Sequence, residues 1–248
     1  MSKFLQKLKT GFKEFEDALM PEYSCLVCGR ECRDTNLLVC ENCKNILIPI
    51  TGHVCEKCGN PIPKSCTICD ECKNKELFFD KARAAYIFDD YSKKLVYDLK
   101  YFNKKFASSH ITQKLIEPLL CFDSPNLLIP VPLHLNRLKE RGYNQSELIA
   151  NSLSELTSLP INTTALTRKI ETETQTGKTK KERQDNVVGA FAVVSKAEIK
   201  NKNIVLIDDV FTTGATTNEC ARVLKKAGAN KVYVLTVLKT VSAMSHTK

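Results

Sequence analysis

Ten of the twelve cysteines fall between Cys25 and Cys72, and eight of them form evenly spaced C-x-x-C pairs: Cys25 and Cys28, Cys40 and Cys43, Cys55 and Cys58, Cys69 and Cys72. The loops between pairs hold 11, 11 and 10 residues, with little apolar periodicity. Each pair sits on a tight turn, as in Cys25-Leu-Val-Cys28-Gly29 and Cys55-Glu-Lys-Cys58-Gly59, which aims two thiolates at one ion. Four thiolates satisfy tetrahedral zinc, and such a closed site leaves no position for water or substrate. In a reducing compartment this crowding reads as metal ligation rather than disulfides. Two structural zinc ions are therefore expected.

Spacing leaves the pairing open. The first four and the last four cysteines as separate sites is the simpler arrangement, and a cross-braced one using alternate pairs is also compatible. Cys66-Thr-Ile-Cys69 competes with Cys69-Asp-Glu-Cys72 for ligand status. The second is preferred, because its neighbours are less apolar and its spacing matches the other pairs. Cys32 has no assigned role.

With 248 residues and 43% hydrophobic content, the chain has room for one large domain and a small one. Phe4, Leu5, Leu8, Phe12, Phe15 and Leu19 make one apolar helical stripe that Pro21 ends. Beyond Asp80, short apolar runs alternate with helical patterns, as in a mainly parallel sheet with crossover helices. Expected strands are Ala84 to Phe88, Leu127 to Val131, Ala190 to Val194, Ile204 to Asp208 and Lys231 to Leu238. Expected helices are Ser92 to Tyr101, Ile111 to Leu120, Gln145 to Leu156 and Thr216 to Lys226, the last closed by Gly228. The polar stretch Thr172 to Asp185 reads as a mobile loop. The expected organisation is an amphipathic helix over 1–22, a four-cysteine zinc-ribbon module over 23–80 and an α/β domain over 81–248.

Residues 1–80 carry 11 basic against 12 acidic residues, and residues 81–248 carry 26 against 16, so the larger domain owns the basic surplus. A surplus of this kind attracts phosphate-rich partners. No apolar run reaches membrane-spanning length and no secretory leader pattern opens the chain, so a cytoplasmic protein is expected.

The segment Ile204-Val-Leu-Ile-Asp208-Asp209-Val-Phe-Thr212-Thr213-Gly214-Ala215-Thr216-Thr217 carries the chemistry. A buried parallel strand ends in two acids, and a small polar loop then enters a helix. Backbone amides at a helix N-terminus cradle an anion, helped by the helix dipole. The Thr212, Thr213 and Thr216 hydroxyls add donors, and Gly214 lets the backbone approach a phosphate. Asp208 and Asp209, as acceptors, suit sugar hydroxyls or the water around Mg2+. Together they suit a ribose 5-phosphate.

This segment resembles the signature of type I phosphoribosyltransferases for 5-phosphoribosyl-1-pyrophosphate (PRPP). By that resemblance Asp208 and Asp209 hold the ribose hydroxyls, and Thr212, Thr213, Gly214, Ala215 and Thr216 hold the 5-phosphate. Ile129-Pro130-Val131-Pro132-Leu133-His134 with Arg137, then Arg141-Gly142-Tyr143-Asn144-Gln145, Thr174-Gln175-Thr176, Arg183, Asn186-Val187 and Gly189-Ala190-Phe191, further resemble the ComF competence-protein family. The resemblance runs from about Cys25 to Leu238 and implies a zinc-binding module ahead of a type I phosphoribosyltransferase-like sheet. It makes Pro130, Val131, Pro132 and Arg137 candidate pyrophosphate contacts, and Gln175 to Arg183 a hood over the site. His134 reads as a hydrogen-bonded loop residue rather than a general base, and no catalytic residue is assigned.

The ComF resemblance implies a role in natural transformation, with PRPP and Mg2+ as ligands, and with single-stranded DNA and a helicase or other DNA-uptake protein as binding partners. Tyr101, Phe102 and Phe106 among Lys100, Lys104 and Lys105 fit a base-stacking platform, or equally a helix end with core aromatics and solvated lysines. An active salvage transferase and a PRPP-sensing regulator would use the same acids and cradle, so both stand as alternatives.

Overall fold

The computed structural model describes residues 25, 28–30, 39–44, 46–94, 111–170 and 187–241. The expected helix over 1–22, Cys32, the Lys100 to Phe106 segment, the 172–185 loop and the hood from Gln175 to Arg183 lie outside the described residues. Of the expected helix from Ser92, only its first turn is described.

Near-continuous apolar sequence builds the sheet. Strands β1 (Lys81–Ile87), β2 (Leu127–Pro130), β5 (Asn203–Phe211) and β6 (Lys231–Lys239) pair in the order β1-β6-β5-β2, every pair parallel. Both faces of the central strands are covered, so Val205, Leu206, Ile207, Val234 and Leu235 are all fully buried. Ile204 stands opposite Val232, and Phe211 opposite Lys239. One edge is covered where Pro49 bridges Tyr86 of β1, with Ile50 N–H bonding Ala85 O at 2.9 Å. At the other edge Leu128 N–H bonds Pro160 O at 2.8 Å.

Helix α5 (Gln145–Thr157) packs Ile149, Ala150 and Leu153 on β2 and β5, while α7 (Ala215–Lys226) lays Cys220, Ala221 and Leu224 against the opposite core. That core also takes in Leu127, Ile129, Ile204, Leu206, Val232, Val234, Phe79, Phe211, Cys55 and Cys58. Burying each Leu, Ile, Val or Phe side chain among them contributes about 1.5–3 kcal/mol.

Two expectations change. The Ala190 to Val194 run is not part of the parallel sheet: β4 (Phe191–Val193) pairs antiparallel with β3 (Leu166–Arg168) in a separate two-stranded sheet. Its partner is three residues long, too short to carry a period. The Ile111 to Leu120 helix breaks into a turn with i to i+3 bonds at Lys114 and Leu115, followed by α3 (Ile116–Leu119), where Pro118 removes an amide. Three short helices, α1 (Glu41–Lys44), α2 (Asp70–Lys73) and α6 (Lys196–Ile199), and α4 (Leu135–Arg141) are the other helices named among the described residues.

The chain divides into two compact units, residues 1–47 and 48–248. The division falls between the second and third cysteine pairs, so Cys55 to Cys72 share a unit with the sheet. Among the described residues no helix is long and apolar enough to cross a membrane.

Candidate functional site

The cysteines gather into two clusters, Cys25, Cys28, Cys40, Cys43 and Cys55, Cys58, Cys69, Cys72, with the sulfurs of each within 4.8 Å of one another. The pairing is sequential, and Cys69 and Cys72 rather than Cys66 complete the second cluster. Zinc–sulfur bonds of about 2.3 Å in a tetrahedron set sulfurs about 3.8 Å apart. Cys28 and Cys40 Sγ stand 3.7 Å apart, and Cys58 and Cys69 Sγ 3.6 Å. All described cysteines are free thiols, so both donor sets fit zinc ribbons.

The two clusters share one local design. Cys25 N–H bonds Arg30 O at 2.7 Å and Gly29 N–H bonds Cys25 O at 2.8 Å; Cys55 N–H bonds Asn60 O at 2.8 Å and Gly59 N–H bonds Cys55 O at 2.9 Å. Gly29 and Gly59 hold φ of 72° and 70°, which a residue with a Cβ adopts only at a cost. Cys40 N–H reaches Cys25 Sγ, and Cys69 N–H reaches Cys55 Sγ, each at 3.3 Å. Without metal the thiols share protons unequally. A hydrogen bond from Cys72 leads in lowering Cys58 to about 5, and burial leads in pushing Cys69 up to about 11. A cation is what lets all four ionise together.

The acid pair lies near the C-terminal end of β5, where parallel sheets present their ligand crevice. Asp208 is half-buried and accepts from Ser146 Oγ at 3.0 Å; Asp209 is buried and accepts from Gln145 Nε2 at 3.3 Å. Both donors begin α5, whose N-cap Asn144 accepts from Ser146 N–H at 3.1 Å and donates to Val131 O at 3.0 Å. Arg141 Nη1 donates to Gln145 Oε1 at 2.6 Å. The Arg141 to Ser146 stretch thus fixes the rotamers of both acids, a task the sequence did not reveal because its partners are more than sixty residues away.

Beyond Phe211 the chain turns through Thr212 and Thr213 to Gly214, which caps α7 with φ 75°. A Cβ on Gly214 would sit 2.6 Å from Phe211 Cζ, so the turn needs glycine for its dihedral and for space. Thr213 Oγ1 accepts from Ala215 N–H at 3.3 Å, and Thr217 Oγ1 donates to Gly214 O at 3.1 Å. Thr212, Thr213, Ala215 and Thr216 are half-buried, Gly214 is buried, and α7 begins at Ala215.

The Pro130–Pro132 turn, a candidate pyrophosphate contact, has no amide to spare for an anion: both prolines lack an N–H, and the Val131 amide donates to Ile207 O at 2.9 Å. His134 is the N-cap of α4, its Nδ1 accepting from Asn136 N–H at 3.3 Å, which explains it as a structural residue. Arg137 lies on α4. Arg168, unnoticed in the sequence, lies 5.4 Å from the Phe191 ring centroid. Burial first, then the charge of Arg137, depress its basicity, and Cys220 and Asp208 oppose them.

Residues 140–246 match the Phosphoribosyl transferase domain and residues 15–73 match the Double zinc ribbon domain. The class is therefore a phosphoribosyltransferase-type domain behind a double zinc ribbon. The chain belongs to the competence protein F/ComFC family. It is 30% identical over 217 residues to competence protein ComFC of Bacillus subtilis, covering 82% of this chain and 84% of that protein. It is 29% identical over 223 residues to competence protein F of Haemophilus influenzae, covering 86% and 95%. Against the DNA utilization protein YhgH of Escherichia coli K12, identity is 28% over 193 residues, covering 75% and 84%.

Proposed function

We propose that the chain is a ComF-type protein of natural transformation, acting in the cytoplasm on incoming single-stranded DNA, with Mg2+-bound PRPP held at the end of β5. The observation that carries the PRPP reading is the acid pair, braced by Gln145 and Ser146, immediately ahead of the Gly214-capped helix. Asp208 and Asp209 take the ribose hydroxyls, and the amides and hydroxyls from Thr212 to Thr216 take the 5-phosphate at the positive end of α7. Arg137 meets the pyrophosphate, with the Pro130–Pro132 turn as its wall. Mg2+ would neutralise the pyrophosphate oxygens. The DNA role rests on the names of the competence and DNA utilization relatives and on the basic surplus of residues 81–248.

Calorimetric titration of Mg2+-PRPP into the wild type and into an Asp208→Asn, Asp209→Asn double variant tests the site. Saturable binding that the variant loses by at least about a hundredfold is expected, since two charged contacts each contribute roughly 1.5–3 kcal/mol. Equal binding by both proteins, or none by the wild type, contradicts the reading. Oligonucleotide titration at two salt concentrations tests the DNA arm, and an affinity that does not fall with salt argues against phosphate contacts.

A further inference from the structure

The site so described leaves one buried charge unexplained. Lys239, the last residue of β6, is only 4% exposed, and an unpaired buried ammonium is costly. Cross-strand register sets it opposite Phe211, and its Nζ stands 4.1 Å from the Phe211 ring centroid, in cation–π range. Burial lowers the basicity of Lys239, and the charges of Cys58, Cys72, Cys69 and Glu71 only partly oppose this.

The same contacts continue to the anion cradle. The Phe211 ring lies beneath Gly214, where a Cβ would come within 2.6 Å of it. Phe79, seven residues beyond the last cysteine of the cluster, meets Phe211 edge-on at 5.9 Å. Asn218, in the first turns of α7, accepts from Phe78 N–H at 2.7 Å and donates to Glu76 O at 3.1 Å. The chain leaving the cluster is thus tied to the helix whose N-terminus forms the cradle.

We infer that the second four-cysteine centre is a working part of the anion site, joined to the Gly214 turn through Phe79 and Phe211, with Lys239 as the positioning residue that holds the Phe211 ring. The inference rests on the PRPP reading for its ligand, and on the contacts above for its geometry. Metal in the Cys55 to Cys72 centre holds the turn in shape, and by reciprocity a ligand in the cradle alters that centre.

The test compares wild type, Lys239→Met and Lys239→Arg for zinc content, hydrogen exchange across residues 208–220, and Mg2+-PRPP affinity. Lys239→Met is expected to speed exchange in this segment and to weaken PRPP binding by about tenfold or more, as small displacements of a positioned site do. Lys239→Arg, which keeps the charge and the ring contact, should recover most of both. If Lys239→Met does not fold, Phe211→Leu carries the same expectation. Exchange and affinity both unchanged in the folded variant would overturn the inference. If the wild type binds no PRPP, the PRPP reading falls, and exchange alone decides the positioning claim.

Discussion

The two cysteine clusters are near copies in their turns and opposites in their surroundings. Gly29 and Gly59 share the same left-handed φ, yet among the described residues a Cβ on Gly29 meets nothing within 4 Å, while one on Gly59 would press to 2.8 Å from Ala82 O of β1. Cys28 lies beside the exposed Arg30, which donates to it at 3.4 Å; Cys58 is buried and belongs to the core shared by the sheet and α7. One design therefore stands beside an exposed arginine in residues 1–47, and serves as a core element in residues 48–248. A metal-binding repeat does not fix what its metal stabilises; the side chains around it do.

The glycines give the largest split. Gly59→Ala should destabilise the larger unit by about 3 kcal/mol, combining strained φ and overpacking against backbone. Gly29→Ala meets only the φ cost, about 1 kcal/mol. Urea unfolding of both variants checks this, and equal midpoints would break the comparison.

Arginines sharpen it next. Arg83 Nη1 donates to Cys55 O at 3.3 Å, Glu56 O at 3.2 Å and Ala82 O at 2.7 Å, stitching the second cluster to β1. Arg83→Met should cost about 2 kcal/mol, as charged hydrogen bonds to backbone do. Arg30→Met should leave the unfolding midpoint of the larger unit unmoved.

The smallest effect concerns pH. Glu219 on α7 pairs with Arg222 at 2.7 Å and accepts from Gly189 N–H at 2.9 Å. Burial pushes its carboxyl up, but the Arg222 and Gly189 contacts more than offset this and hold it below the usual carboxylate range. A depressed carboxylate contributes stability that is present above its unfolded pKa of about 4.3 and is lost as pH falls through the folded value. The melting-temperature gap between wild type and Glu219→Gln should be full at neutral pH and shrink below about pH 4; a constant gap would refute the pairing.

The sheet strands were legible because Ile204 to Asp208 and Lys231 to Leu238 are buried on both faces and read as apolar runs, and α7 was legible through Gly214 and Gly228. The cysteine beat told of two metal centres, but not of their different neighbours. What stayed hidden depends on contacts distant in sequence. Gln145 and Ser146 acquire meaning only beside Asp209 and Asp208, and Lys239 reads as a strand-end lysine until Phe211 is brought next to it. That the Val131 amide is already engaged shows only once β2 is laid beside Ile207.

The difference between the clusters is tested most directly by Cys28→Ser and Cys58→Ser, each analysed for zinc content and for hydrogen exchange in β5 and β6. Both variants should lose metal from the altered cluster, because thiolate binding supplies folding energy. Only Cys58→Ser should expose the amides of Ile204 to Ile207 and Val232 to Leu235 to exchange. Loss of zinc from Cys58→Ser with those strands still fully protected would contradict the account.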